Sequence, residues 1–407
     1  MSLRTFIAWY RDNPDSPPDE VMARYDVIIG GGCPPERRER IRKTNPRVRF
    51  LTYVNVIDLP LVAGIDDVAA LGASPPRSGG DFIEDIWRNH RDFLLKTRAG
   101  AKGTTTDPRR MYVWGYQALF DPSSRSANRF HLDPRSGWKD YFAERCAEIV
   151  REGGWDGVMV DNAGARCDWS FSRIADPELR PEIDDAEWGR AMSALLANVS
   201  RRVKEACPGA MVTANTCGDF VRSDGDDAEP TAFFRDSLLD GAIEEFFGHA
   251  QGANRPSYVT GARWREQIRS ILCCERMGRS YLALANGAPE NHAARTYALA
   301  SFLLAAGDHS CFTYNPAAGP TYPLVYRLSE FDLDLGRPLA AHECLSGIYV
   351  RRFERGLVLV NPGDREATVD LPAGLRRMDL SRAGLAGDRA GCSFSLPSSS
   401  AAIWIRD

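Results

Sequence analysis

Trp155-Asp156-Gly157-Val158-Met159-Val160-Asp161 and Leu239-Asp240-Gly241-Ala242-Ile243-Glu244-Glu245 are two copies of one local plan. Each sets an Asp-Gly pair before a short apolar run and places an acid five positions after the Asp. A short apolar run bounded by turn residues is the pattern of a strand buried on both faces, as in a parallel sheet covered by helices. Six further runs extend the pattern, so the candidate core strands occupy residues 5–10, 26–30, 49–56, 157–161, 211–215, 242–246, 281–286 and 310–314. Eight such runs alternating with longer segments of helical periodicity predict an α/β fold of the (β/α)8 TIM-barrel type.

The intervening helices have their own signals. After Ser136, Trp138, Tyr141, Phe142, Ile149 and Val150 share one helical face, and Gly153-Gly154 supplies a stop. Over residues 184–206, Trp188, Met192, Leu195, Leu196, Val199 and Val203 make an apolar stripe that Pro208-Gly209 ends. The stretch 59–134 is longer than one loop plus a helix and reads as an insertion; in a competing count its strand-like run at 111–117 is a core strand and displaces one of the eight.

After Leu335 the helical pattern gives way to short alternating runs at 347–352, 357–360, 367–371, 393–396 and 401–405. Turn residues separate them at Glu354-Arg355-Gly356 and Asn361-Pro362-Gly363-Asp364. The expected organisation is a barrel over 1–335, inserted at 59–134, and a small all-β, sandwich-like domain over 336–407.

A chain of 407 residues accommodates a barrel of ~250 residues or more with an appendage. Its 43% hydrophobic and 26% charged residues are those of a globular protein with a proper core. A net charge of -4 and basic residues scattered without aromatic interleaving argue against a nucleic-acid partner. No apolar stretch approaches the ~18 residues of a membrane span, so no membrane partner is expected. The strand pattern starts almost at once, with no charged-then-apolar leader. The expected location is cytoplasmic, with secretion open if a leader was removed ahead of Met1; oligomeric state is not legible.

Ten cysteines include no C-x-x-C spacing, and Cys273-Cys274 are adjacent, so buried free thiols are expected. Six separated histidines with no H-E-x-x-H weaken a zinc reading. The acidic run Asp219, Asp224, Asp226, Asp227 and Glu229 lacks the ligand spacing of a calcium loop and reads as a solvated connection. Gly30-Gly31-Gly32-Cys33 has no G-x-G-x-x-G, which disfavours a dinucleotide. No cofactor or metal is expected.

Barrel active sites form at the C-terminal ends of the strands. The polar residues closing the candidate strands are Trp9-Tyr10, Tyr53 and Asn55, Asp161-Asn162, Asn215, Glu244-Glu245, Asn286, and Tyr314-Asn315. Carboxylates close strands four and six alone. The matched offset favours Glu245 over Glu244, and neighbours on a strand point to opposite faces, so one of the two faces the barrel mouth unless a bulge intervenes. Two carboxylates ringed by amides and aromatics suit glycosidic cleavage, one protonating the leaving oxygen while the other is nucleophile or base. Glu245, beside Phe246 and Phe247, is assigned the acid role and Asp161 the other. Trp9, Tyr10, Tyr53 and Tyr314 offer sugar-stacking faces, as do Trp114, Tyr116 and Trp169, all with core packing as the alternative. Asn55, Asn162, Asn215 and Asn286 offer hydrogen bonds to sugar, with turn chemistry as the alternative. The plain structural alternatives are a capping aspartate for Asp161 and a rim carboxylate paired with an arginine for Glu245.

The two motifs, with Asn162 and Phe246-Phe247 following them, then Gly336-Arg337-Pro338-Leu339 and the run from Arg351-Arg352-Phe353-Glu354-Arg355-Gly356 to Asn361-Pro362, carry a resemblance over most of the chain. The sequence resembles the glycoside-hydrolase barrels grouped as hypothetical glycosyl-hydrolase-like proteins, distant relatives of the polygalactosaminidase clan. In that clan an Asp closing strand four and a Glu closing strand six are the presumed catalytic pair, which the resemblance places on Asp161 and Glu245. It also implies an endo-acting hydrolase of an α-linked, amino-sugar-type polymer; the doubled Glu244-Glu245 departs from the single acid of that pattern.

The expected activity is therefore metal-independent O-glycosyl hydrolysis of an oligo- or polysaccharide. Two rivals stand beside it: a non-catalytic carbohydrate-binding barrel, and a metal-dependent hydrolase using Asp161, Asp168 and Asp219.

Overall fold

A computed structural model describes residues 3–8, 16–30, 32–60, 85–87, 89–114, 129–167, 171–172, 174–216, 218–221, 229–252, 255–316, 327–380, 384–389 and 392–406. In chain order the strands are β1 (Phe6–Ala8), β2 (Val27–Ile29), β3 (Arg49–Asn55), β4 (Asp58–Pro60), β5 (Arg129–His131), β6 (Gly157–Asp161), β7 (Met211–Asn215), β8 (Gly241–Glu245), β9 (His249–Gly252), β10 (Arg255–Tyr258), β11 (Ser280–Gly287) and β12 (Cys311–Pro316). The C-terminal region adds β13 (Glu343–Leu345), β14 (Ile348–Phe353), β15 (Gly356–Asn361), β16 (Ala367–Leu371), β17 (Leu375–Asp379), β18 (Gly384–Arg389), β19 (Cys392–Leu396) and β20 (Ser400–Arg406).

One eight-stranded sheet runs β1-β2-β3-β6-β7-β8-β11-β12. Its described pairings are parallel, and a parallel bridge from Thr5 to Phe312 returns the last strand to the first. This is a (β/α)8 barrel, built on the eight strands read from the sequence. The run at 111–117 stands outside it: Tyr112 and Trp114 make isolated antiparallel bridges to Lys96 and Phe130, and residues 115–117 lie outside the described residues.

The Asp-Gly pairs have a structural reason. A Cβ on Gly241 would stand 2.5 Å from the Ser280 carbonyl oxygen, and one on Gly157 would collide with that of Met211, so only glycine lets the next strand pass. The preceding Asp ties strand starts together. Asp240 Oδ2 accepts from Val212 N at 2.9 Å and its Oδ1 from Lys204 Nζ at 2.7 Å; Asp26 before β2 repeats the device, accepting from Thr5 N at 2.8 Å.

The chain divides into two compact units. One comprises Met1–Phe50, Val221–Pro230 and Gly241–Asp407, the other Leu51–Phe220 and Thr231–Asp240. In the second unit the helices Trp138–Gly153 and Asp185–Ala206 pack together; the second buries its whole apolar stripe, and the first buries Trp138, Phe142 and Val150 but leaves Tyr141 and Ile149 half-buried. Gly154 ends the first at φ 60°, and Asp184 caps the second by accepting from Glu187 N at 2.7 Å. The described part of the insertion pairs β4 with β5 antiparallel and gathers Trp87, Tyr112 and Trp114 around Phe130.

In the first unit the helices Gly261–Arg276 and His292–Leu303 pack on β11. The C-terminal β domain consists of a six-stranded sheet, β13-β14-β15-β20-β17-β18, and the pair β16-β19. Its core includes Ile348, Val350, Leu359, Leu396 and Trp404. Arg351 Nη1 docks the domain by donating to the carbonyls of Leu303 at 2.9 Å and Ala306 at 2.7 Å, where the helix end favours a cation. Trp264 meets Tyr349 edge-on at 4.7 Å. Cys273 and Cys274 are buried free thiols. Among the described residues no helix is long and apolar enough to cross a membrane.

Candidate active site

The end of β6 is a hydrogen-bonded carboxylate. Register pairs Tyr53 with Met159 and Asn55 with Asp161, and Met159 with Thr213, so Tyr53, Asn55, Asp161 and Asn215 all project from one sheet face. Tyr53 donates its hydroxyl to Asp161 Oδ2 at 2.5 Å, and the buried Asn215 amide donates to Oδ1 at 3.0 Å. Asn162 adds a longer contact to Oδ2 at 3.4 Å. The backbone fixes the position from both sides: Val56 N donates to Asp161 O at 3.2 Å, and Ala163 N to Asn215 O at 2.8 Å. Donors on both oxygens hold the carboxylate in one orientation as an acceptor. Asn55 Oδ1 accepts from Ile57 N at 3.1 Å, the turn chemistry named as its alternative role.

The end of β8 separates its two glutamates. Glu244, 3% exposed, accepts from Arg263 Nη2 at 2.6 Å and from Gln267 Nε2 at 3.2 Å, both on the helix Gly261–Arg276. Burial pushes its carboxyl up to about 7 against the pull of the Arg263 guanidinium. Glu244 thus faces the helical layer, and alternation turns Glu245, which is half-buried, to the opposite face. Phe247 is buried against Tyr281 and Phe302, whereas Phe246 is 51% exposed at φ 67°. The apolar neighbourhood expected from the Phe246-Phe247 pair is therefore divided, one ring in the core and one in solvent.

Register sorts the remaining candidates of this unit. Glu245 pairs with Leu284 and Leu284 with Thr313, so Asn286 and Asn315, two residues further on, share the face of Glu245. Asn286 O accepts from His249 Nδ1 at 2.7 Å. Asn315 is buried, and its Nδ2 has no partner among the described residues, a donor that a ligand oxygen would satisfy. The sequence places Asn315 at a strand end without assigning it a role; its signal is its position two residues beyond Thr313. Tyr314 lies on the other face, with Phe312 and Glu244, and its hydroxyl donates to Ala288 O at 3.3 Å. That places its ring among the helix-facing residues. Trp114 is core. Trp9, Tyr10, Tyr116, Asp168 and Trp169 lie outside the described residues.

Asp219 pairs with Arg166 at 3.4 Å, and among the described residues no group of three or more His, Cys, Asp or Glu is placed to hold a metal ion.

No curated protein matches the sequence. Among solved structures the chain is similar to Eubacterium rectale Amy13B (TM-score 0.50, 10% identity, covering 100% of this chain and 96% of that one). It is also similar to the glycoside hydrolase domain of PelA from Pseudomonas aeruginosa (TM-score 0.44, 15% identity, 77% and 92%) and to an Anoxybacillus alpha-amylase (TM-score 0.46, 11% identity, 100% and 97%). At 10% identity the likeness to the first of these is one of fold. The model described as Hypothetical glycosyl hydrolase family 15 matches residues 42–357, more than half of the chain. The chain belongs to that hypothetical glycosyl hydrolase family, in agreement with the resemblance carried by its two Asp-Gly strands.

Proposed function

We propose that the protein hydrolyses O-glycosidic bonds of an oligo- or polysaccharide with Asp161 and Glu245 as its two carboxylates. Glu245 donates a proton to the leaving oxygen as the C1–O bond breaks. Asp161 either attacks C1, to be displaced later by water that Glu245 deprotonates, or takes the proton of the attacking water. The observation that carries the reading is the anchoring of Asp161: a strand-end carboxylate with hydrogen-bond donors on both oxygens suits a nucleophile or base better than a proton donor. Family membership and the withdrawal of Glu244 into an ion pair support Glu245 as its counterpart. Asn286 and Asn315, on the Glu245 face, are proposed to bind sugar hydroxyls, as are Tyr53, Asn55, Asn162 and Asn215 around Asp161. Trp9 and Tyr10 remain proposed sugar contacts from the sequence, whereas Tyr314, buried on the helix-facing side, is a packing residue. The mechanism needs no metal, so turnover is expected to survive exhaustive chelation.

The test is release of reducing ends from a panel of α- and β-linked polysaccharides, α-linked amino-sugar polymers first, by wild type and Glu245→Gln. Release by wild type that the variant lacks supports the reading. A wild type that binds a polymer yet never cleaves one would make the protein a carbohydrate-binding barrel.

A further inference from the structure

We infer that Phe246 is a substrate-stacking residue, the platform for the pyranose unit next to the bond that Glu245 protonates. This deepens the hydrolase reading and rests on it.

The large hydrophobic side chains exposed among the described residues are Leu238, Phe246 and Leu339, and Phe246 is the aromatic one. An exposed phenyl ring has no packing reason at its position, since its neighbour Phe247 fills the core. Its backbone, at φ 67°, is in the left-handed region, which costs a residue with a Cβ about 1–2 kcal/mol. After Asp161 the corresponding position is also left-handed, at φ 59°, but there it is Asn162, a residue that tolerates the conformation. A bulky ring at the β8 position is thus disfavoured twice, by solvent and by backbone. Strain of this kind persists where the surroundings over-determine it, and it concentrates at ligand-binding sites.

The surroundings do over-determine it. Gln267, 1% exposed, donates from Nε2 to Phe246 O at 3.2 Å and to Glu244 Oε1 at 3.2 Å, and accepts from Gly248 N at 3.0 Å. Phe247 N donates to Leu284 O at 2.9 Å. Every one of these bonds grips the corner from the helix or sheet side and leaves the ring outside. The result is a rigid aromatic surface one residue beyond Glu245, at the end of a barrel strand where ligands bind. A phenyl ring offers apolar contact and no hydrogen bond, which suits the C–H face of a pyranose.

Phe246→Gly removes the ring while relieving the backbone, so the variant folds without relying on the lost contact. With maltohexaose and an α-1,4-linked galactosamine hexamer as probes, on whichever wild type hydrolyses, KM is expected to rise roughly five- to tenfold in Phe246→Gly with kcat within about twofold. Thermal unfolding of the variant should occur at or above the wild-type temperature. Phe246→Trp, which restores a ring, should return KM to the wild-type value or below. An unchanged KM in Phe246→Gly, with wild type active, overturns this inference and leaves the hydrolase reading standing. A wild type that cleaves neither probe, nor any polymer of the broader panel, removes both.

Discussion

The ends of β6 and β8 solve one problem in two ways. Both strands start from Asp-Gly, both end in an acid, and both turn at once through a left-handed residue, Asn162 or Phe246. At β6 the acid itself is gripped: Tyr53 and Asn215 occupy the two oxygens of Asp161. At β8 Arg263 and Gln267 hold the neighbouring Glu244, and Gln267 also fastens the backbone on either side of Phe247. Matched sequence patterns thus need not mean matched chemistry. At β6 side-chain donors orient the strand-end acid as a fixed acceptor; at β8 they hold the preceding glutamate and the strand corner that follows.

Varying the leaving group separates the two acids most strongly. Glu245→Gln should lower turnover of an unactivated glycoside by about 10²–10⁴-fold and spare an aryl glycoside whose phenolate leaves unaided, whereas Asp161→Asn should depress both. Equal losses on both substrates in both variants would erase the assigned roles. Next in size, Tyr53→Phe should cost about 10–10²-fold in kcat with little change in thermal unfolding, because it removes one charge-assisted hydrogen bond from Asp161 and almost no packing. Steady-state kinetics beside a melting curve checks this.

At the β8 end, Glu244 gives a stability signature instead. Its carboxyl is raised to about 7 in the fold from an ordinary value of 4.5. The folded state therefore binds its proton more tightly than the unfolded chain. The stabilisation is present below about 4.5 and is lost as pH rises through 7. Denaturant melts of wild type and Glu244→Gln at pH 4.5, 6 and 7.5 should show the variant gaining on wild type by about 2 kcal/mol across the range. A constant gap would mean that Arg263 holds Glu244 ionised throughout. The smallest effect belongs to Asn162→Gly, expected within about 0.5 kcal/mol of wild type, since asparagine already tolerates the left-handed backbone.

The barrel was legible because its strands are short apolar runs, two of them opened by Asp-Gly, and because the helices Trp138–Gly153 and Asp185–Ala206 carry apolar stripes with a stop. What escaped the sequence was pairing that depends on context. β17, Leu375-Arg376-Arg377-Met378-Asp379, is too charged to look like a strand, and the antiparallel pair of β9 and β10 has no alternating pattern. In the site, the matched offset favours Glu245, but the physical reason lies at Arg263 and Gln267, about 20 residues downstream on another element. The left-handed backbone of Phe246 and the Asn315 Nδ2, without a partner among the described residues, depend on tertiary neighbours that no local pattern encodes. The placing of Tyr314 among helix-facing residues likewise follows from register.

That Asp161 and Glu245 work as a pair on one bond is tested most directly by a double-mutant cycle in kcat/KM, using Asp161→Asn, Glu245→Gln and their combination on a polymer the wild type cleaves. Groups serving one transition state are strongly non-additive, so the double variant should fall no more than about tenfold below the weaker single variant. Losses that multiply, or a single variant that keeps wild-type turnover, would contradict the account.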